Sequence, residues 1–194
     1  MDDHDLEDVT AALRAHLGHV WPDRQKREFV WTAGPAHMAL PRLRVCRLAP
    51  PTPGEAWIYA SLGLWEVTVE AERAVEFFII SRAEDPIHVE TLFMLAHAQA
   101  TGLYHLNLGA TVNLGRGWVD GSPLTYLMAS IPYLHGPQLE WCHIRADLHI
   151  RFLWLVPLHE VERDFIRQHG HEALEARLEQ HGIDPTDPVR AAVV

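Results

Sequence analysis

The sequence contains only two cysteines, Cys46 and Cys142, among 194 residues. Two distant cysteines provide neither a disulfide framework nor the closely spaced pairs of a zinc site. The longest apolar runs, such as Phe152 to Val156, are far shorter than the roughly 20 residues that a membrane-spanning helix needs. The N-terminal residues are acidic, whereas a secretory signal begins with basic residues. These absences predict a cytoplasmic protein that has free thiols and does not enter a membrane.

Motifs for nucleotide binding and metalloprotease chemistry are also missing. The single lysine, Lys26, follows no glycine-rich run, which excludes a phosphate-binding P-loop. Gly115-Arg-Gly117 begins like a dinucleotide-binding fingerprint, but Asp120 stands where the third glycine is needed. His159-Glu160 and His171-Glu172 begin like a zinc-protease motif, yet neither is followed by a second histidine at the required spacing.

Other catalytic and metal-binding arrangements are equally hard to find. Neither cysteine stands in a sequence pattern that indicates an activated thiolate, and there is no Gly-x-Ser-x-Gly sequence. The 14 histidines are scattered and show no set of three converging ligands. We therefore predict no catalytic residues, no metal ligands and no cofactor. An enzyme or a small-molecule sensor stays open only if its site converges from distant residues.

Charge is abundant and unevenly distributed, with a formal net charge of −10. Residues 24–48 contain six basic side chains and one acid, whereas residues 66–90 contain seven acids and two arginines. Residues 159–194 contain eight acids and four arginines. An acidic chain repels the phosphate backbone, so we expect no nucleic-acid partner. The charge would suit a basic protein partner; the alternative is that it only keeps the protein in solution.

The hydrophobic pattern predicts helices mixed with strands. A helix is expected from Asp5 to Leu17, capped by Asp5 and closed by Gly18. Two short helices, after His159 and after Gly170, are expected near the C-terminus. Strands are expected at Glu28 to Trp31, Leu43 to Leu48, Ala56 to Ala60, Glu76 to Ser81, Leu124 to Pro132, Leu139 to Ile144 and Leu148 to Val156.

The segment after Asp85 is the best-marked helix, with Asp85 as its N-cap, Pro86 in the first turn and Gly102 after the last turn. It is apolar nearly all round, which is typical of a core helix. Two histidines on it, His88 and His97, are expected to be ordinary polar tips.

The strand from Leu148 to Val156 begins amphipathic and becomes apolar on both faces. It should therefore start at a solvated edge, enter a sheet that is covered on both sides, and stop at Pro157. Together these elements predict a single α+β domain with a mixed, twisted β-sheet flanked by helices.

Several of these segments resemble the suppressor-of-fused (SUFU) domain in its compact bacterial form, over about residues 25 to 183. The matching segments are Tyr59-Ala-Ser-Leu-Gly63, Glu76-Phe-Phe-Ile79, His88 to Ala96, Leu108-Gly-Ala-Thr-Val112, Gly121-Ser122 and Ile131-Pro-Tyr133. The most specific match is Phe152-Leu-Trp-Leu-Val-Pro157 together with Glu162, Phe165, Gly170, Ala173, Leu174 and Glu175. His159 stands where the family usually has threonine, so the helix cap formed with Glu162 must be weaker or differently satisfied.

The resemblance implies a SUFU-like domain at residues 25–183, preceded by an N-terminal helix and linker at 1–24 and followed by a loose tail at 184–194. It also implies a protein-binding domain without enzymatic activity. Similar bacterial domains act as immunity proteins that neutralise a toxin by direct binding, and the charge suggests that such a toxin would be basic. A general protein-binding scaffold is the alternative. The oligomeric state is not predicted.

Two segments are candidates for partner contacts. The loop that contains Arg116, Trp118 and Asp120 offers an arginine and an aromatic side chain, which are common at binding hot spots. The alternative for Trp118 is that it folds back onto the core. The second candidate is an acidic segment that contains Glu66, Glu70, Glu72 and Glu76.

Overall fold

A computed structural model of the chain describes residues 3–69 and 74–194. The helices are α1 (Asp3–Val20), α2 (Gly34–Ala39), α3 (Ile87–Ala100), α4 (Pro137–Glu140), α5 (Glu160–His169) and α6 (His171–Gln180), with a 3-10 turn at Leu64–Val67. The strands are β1 (Lys26–Val30), β2 (Arg44–Leu48), β3 (Trp57–Leu62), β4 (Val75–Ser81), β5 (Thr111–Asn113), β6 (Tyr126–Ser130), β7 (Trp141–Arg145) and β8 (Leu148–Leu158).

The strands form one sheet in the order β1-β2-β3-β4-β8-β6-β5, and β7 also pairs with β8. The β4–β8 pair is parallel, and all other pairs are antiparallel. β8 is the hub of the sheet because it pairs with β4 on one side and with β7 and then β6 on the other. The prediction of an α+β fold with a mixed sheet flanked by helices is confirmed.

Each face of the sheet is covered by its own hydrophobic cluster. β8 contributes Phe152 and Trp154 to one cluster, which α1 and α6 cover, and Leu153 and Leu155 to the other, which α3 covers. This alternation is the one that the sequence predicts for a strand buried on both sides. The burial of α3, including Leu92 and the other apolar residues of its core face, is also confirmed.

Local capping explains where α3 begins. The amide of Ile87 donates a hydrogen bond to Oδ1 of Asp85 over 2.9 Å, as an N-cap interaction requires. α1 is longer than predicted, because Gly18 lies inside it instead of closing it. No atom lies within 4 Å of the position that a Cβ on Gly18 would take, and the amide of Trp21 still bonds to the carbonyl of Leu17.

Two further predicted boundaries are wrong. β8 does not stop at Pro157 but continues to Leu158, with Pro157 opposite Leu127 of β6. The parallel pairing with β4 ends at Trp154, so beyond that point β8 has a ladder on one side only and a proline costs less there. Leu139 belongs to α4 and precedes β7, whereas the sequence suggested a single strand from Leu139 to Ile144.

The C-terminal residues, which the sequence suggested to be loose, pack against the domain. Arg190 and Val193 are buried. The guanidinium of Arg190 donates to both carboxylate oxygens of Glu162, each over 2.6 Å, and this ion pair is almost completely shielded from solvent. The segment 184–194 therefore completes the core near the start of α5.

The start of α5 also shows how the unusual cap is satisfied. The amide of His159 donates to Oε2 of Glu162 over 2.9 Å, which preserves one half of a capping box. Nε2 of the His159 ring lies 2.9 Å from the carbonyl oxygen of Arg190. The histidine thus connects the helix start to the C-terminal segment.

Among the described residues, none of the helices has the length and apolar character needed to cross a bilayer.

Candidate functional site

The predicted contact loop, which contains Arg116, Trp118 and Asp120, packs against the domain. Trp118 is fully buried, and its ring lies 5.3 Å from the ring of His88. Arg116 is partly buried and donates to Oγ1 of Thr91 over 2.6 Å and to the carbonyl of Gly117 over 2.8 Å. Of the three candidate residues on this loop, Asp120 alone is exposed. Trp118 therefore follows the alternative, folding back onto the core.

The predicted acidic segment does not form one exposed surface in the described residues. Glu66 is mostly covered, and its Oε2 lies 2.9 Å from Nη2 of Arg42. Glu76 is fully buried. Glu70 and Glu72 lie outside the described residues. The exposed contact surface predicted here is therefore wrong for Glu76 and Trp118, while a binding role for Asp120, Arg116 and Glu66 stays a prediction.

Glu76 has a structural environment that the sequence did not suggest. Its carboxylate accepts a hydrogen bond from the Ser61 hydroxyl and others from the amides of Gly63 (2.6 Å) and Trp65 (3.3 Å). Burial nevertheless raises the pKa of Glu76 to about 7, and these hydrogen bonds oppose that rise. The carboxylate anchors the 3-10 turn to β4. The sequence contained a weak signal, since Glu76 is the lone charge in a strand of apolar residues.

His88 is a buried polar residue on the opposite face of the sheet. It is completely inaccessible to solvent, and neither ring nitrogen has a hydrogen-bond partner among the described residues. Its ring packs between Tyr59, 5.0 Å away, and Trp118. Burial lowers the pKa of His88 to about 4, so the ring is neutral at pH 7. The expectation that His88 is an ordinary polar tip is wrong, because the residue is fully buried.

In the described part of the chain, we consider two exposed grooves as candidate binding surfaces. The first, the β1–α3 groove, has a volume of about 470 Å³ and is lined by Phe29, Trp31, Tyr59 and Phe93 among others. Trp31 is 42% exposed, and its ring lies 5.0 Å from the Phe93 ring. The charges around this groove are mixed, since its rim includes an ion pair between Arg47 and Glu84.

The second groove, the α6 groove, is larger at about 600 Å³. Its apolar floor is formed by Tyr133, Leu134 and Leu178, and its wall by Glu172, Glu175 and Glu179 of α6. Tyr133 is 43% exposed and Leu134 58% exposed, so both offer apolar surface to solvent. Concave apolar surface with a few polar groups at its rim is typical of a binding site. The acids of α6 form no recognisable motif in the sequence, so the sequence alone did not indicate this surface.

The described residues contain no group of three or more His, Cys, Asp or Glu side chains that could hold a metal ion. Cys46 and Cys142 are both free and buried. Burial raises the pKa of each thiol to about 11, which keeps the thiolate form rare at neutral pH.

Comparisons with known proteins agree with the fold. A family model described as Suppressor of fused protein (SUFU) matches residues 40–191. The crystal structure of a protein described as a SUFU homologue, from Neisseria gonorrhoeae FA 1090, is similar with a TM-score of 0.87 and 36% identity. The alignment covers 97% of this chain and 98% of that one.

More distant structures share the fold alone. A chain in the crystal structure of the Sufu-Fu complex aligns with 17% identity and a TM-score of 0.64, over 96% of this chain and 92% of that one. Drosophila Suppressor of Fused aligns with 16% identity and a TM-score of 0.69. That alignment covers 96% of this chain but 51% of the Drosophila chain, so this chain spans about half of its length. No curated protein matches the sequence.

Proposed function

Because the chain belongs to the suppressor-of-fused family, we propose that it is a non-enzymatic protein-binding domain in the cytoplasm, and that it neutralises a basic toxin as an immunity protein does. One relative was crystallised as the Sufu-Fu complex, which supports a protein as the kind of partner. The α6 groove carries the proposal, because it combines exposed apolar floor residues with an acidic wall. The net charge of −10 adds a long-range attraction for a basic partner.

The experiment is co-expression of this protein with the product of each adjacent gene. We expect one neighbour to inhibit growth alone, to be tolerated when this protein is present, and to co-purify with it in a 1:1 complex. If every neighbour is harmless and none co-purifies, the immunity role is wrong. The general scaffold, which binds a protein but neutralises none, would then replace it.

A further inference from the structure

The acidic wall of the α6 groove has no basic counterpart of its own. No lysine or arginine lines the groove in the described part of the chain. Glu172 and Glu179 are exposed, and Glu175 accepts a hydrogen bond from the hydroxyl of Ser130, which is neutral. Three carboxylates of one helix thus face a shared concavity with their charge uncompensated.

The arginines close to this region are engaged elsewhere. Arg190 is buried against Glu162, and Arg82 pairs with Asp184, with 2.7 Å between Nη2 and Oδ2. The guanidinium of Arg177, on α6 itself, lies 4.9 Å above the Phe165 ring. None of these three arginines therefore pairs with the acidic wall, which is left available to a positive charge from another molecule.

The apolar floor of the α6 groove sets a second requirement for a ligand. The Tyr133 ring packs against Trp154 with 5.2 Å between ring centroids, so it is held in place while 43% of the residue stays exposed. Burial, followed by the negative charge of Glu175, raises the pKa of Tyr133 to about 12. Leu134, the next residue of the same turn, extends this surface. A ligand that matches both features has a cationic group and a large apolar group close together.

We infer that the α6 groove holds a basic segment of a protein partner, in which an arginine or lysine faces Glu172, Glu175 and Glu179 while a neighbouring large apolar side chain covers Tyr133 and Leu134. This inference rests on the proposed protein-binding function and names its contact surface and the chemistry of its ligand. An arginine would bind more tightly than a lysine, because its planar guanidinium can bind carboxylates and also stack on the tyrosine ring.

Fluorescence anisotropy with short labelled peptides tests the inference on the full chain. The probe contains arginine, leucine and glycine; one control peptide has glutamate in place of arginine, and another has glycine in place of leucine. We expect saturable binding of the probe, about tenfold weaker binding of the leucine-free peptide, and none of the acidic peptide. Equal binding of the probe and the leucine-free peptide would show that only non-specific charge attraction acts at the site, and would overturn the inference.

Matched variants locate the binding site. The Glu172→Lys, Glu179→Lys double variant should weaken probe binding about tenfold, whereas Glu7→Lys with Asp8→Lys, on the exposed face of α1, should change it little. Both variants alter the net charge equally. Leu134→Ser removes exposed apolar surface without changing charge and should also weaken binding. Thermal melts verify folding of each variant; equal effects of the two double variants would contradict the inference.

The outcomes for the groove and for the proposed function are separable. If a neighbouring gene product co-purifies but the α6 variants retain it fully, the groove is wrong and the protein-binding function stands. If no neighbour binds while the probe still requires the α6 residues, the immunity role is wrong and the basic-segment site stands.

Discussion

Glu76 is a carboxylate whose ionisation opposes folding. Its pKa of about 7 in the folded protein exceeds the ordinary value of 4.5, so the folded state binds the proton more tightly than the unfolded state. The contribution of Glu76 to stability is therefore complete below pH 4.5 and is lost as the pH rises through 7.

The Glu76→Gln variant should remove this loss, because an amide can still accept the hydrogen bonds from Gly63 and Trp65. We expect the variant to exceed the natural protein in free energy of unfolding at pH 8 by on the order of 3 kcal/mol, and to match it near pH 4.5. Denaturant melts across this range measure the difference. Glu90→Gln, on the surface, is the control and should show no such trend.

His88 has the opposite pH dependence. Its pKa of about 4 in the folded protein lies below the ordinary value of 6.5, so stability is complete above pH 6.5 and is lost as the pH falls through 4. Between pH 4.5 and 6.5 the effects of His88 and Glu76 act in opposite directions. The natural protein should therefore have a flatter stability profile there than either single variant.

Replacing His88 by phenylalanine tests the histidine. Within the described part of the chain the ring nitrogens have no hydrogen-bond partners to lose, so at pH 7 the variant should be as stable as the natural protein or more stable. On acidification to pH 5 the natural protein should lose about 2 kcal/mol relative to the variant. His4→Phe, at an exposed position, serves as the comparison; a similar trend there would rule out His88 as the cause.

At the scale of elements, β8 depends on Trp154. This residue is fully buried, between the rings of Phe78 at 6.4 Å and Tyr133 at 5.2 Å. Trp154→Ala should lower the free energy of unfolding by roughly 3–5 kcal/mol because it leaves a cavity in the sheet–helix interface. Trp31→Ala, at a residue 42% exposed, should cost about 1 kcal/mol. Comparable losses in denaturant melts would show that Trp154 is not a core residue.

The connection between α5 and the C-terminal segment depends on the Glu162–Arg190 pair. Arg190→Ala should cost about 3–5 kcal/mol, since it leaves the Glu162 carboxylate buried without its cation. The double variant Glu162→Gln with Arg190→Met should recover more than half of that loss, because no buried charge remains. Equilibrium unfolding of the three proteins gives the comparison, and a double variant as unstable as Arg190→Ala would contradict this account.

Elements with strong periodicity or strong caps could be predicted from sequence, and short or context-dependent ones could not. α3 has Asp85 and Pro86 at its start, and β8 alternates between two cores, so both follow from local rules. α2 and β5 contain too few residues to show a period. The course of β8 through Pro157 depends on which of its edges is paired, and only the folded sheet decides that.

The candidate site also has one part that local sequence predicts and another that depends on contacts between distant segments. The acids of α6 recur along one helix, but the floor beneath them comes from Tyr133 and Leu134, about 40 residues earlier in the sequence. Likewise, whether Glu76 or Trp118 is exposed depends on neighbours from other elements. The presence of acidic residues on α6 could be predicted from the sequence. The groove could not, because it forms only when the fold brings α6 and the turn with Tyr133 and Leu134 together.

For the whole molecule, the net charge of −10 predicts how fast a partner arrives. If the partner is basic, the association rate should fall at least about tenfold when salt is raised to levels that shorten the Debye length from about 10 Å to about 3 Å. The dissociation rate should change less, because it depends on the close contacts. Stopped-flow mixing with the purified partner separates the two rates, and a salt-independent association rate would exclude electrostatic steering.

The position of β8 between β4 and β6 determines the order in which the sheet can form during synthesis. β1 to β4 can assemble as consecutive antiparallel neighbours, but the free edge of β4 has to wait for residues 148–158. Pairing β4 with β8 brings together strands separated by the whole segment 82–147, and such long-range pairing is slow. Until β8 pairs with it, the apolar strand β4 is prone to aggregation. A ribosome stalled before β8 should therefore carry a protease-sensitive nascent chain that chaperones bind, and this sensitivity should disappear once β8 has emerged.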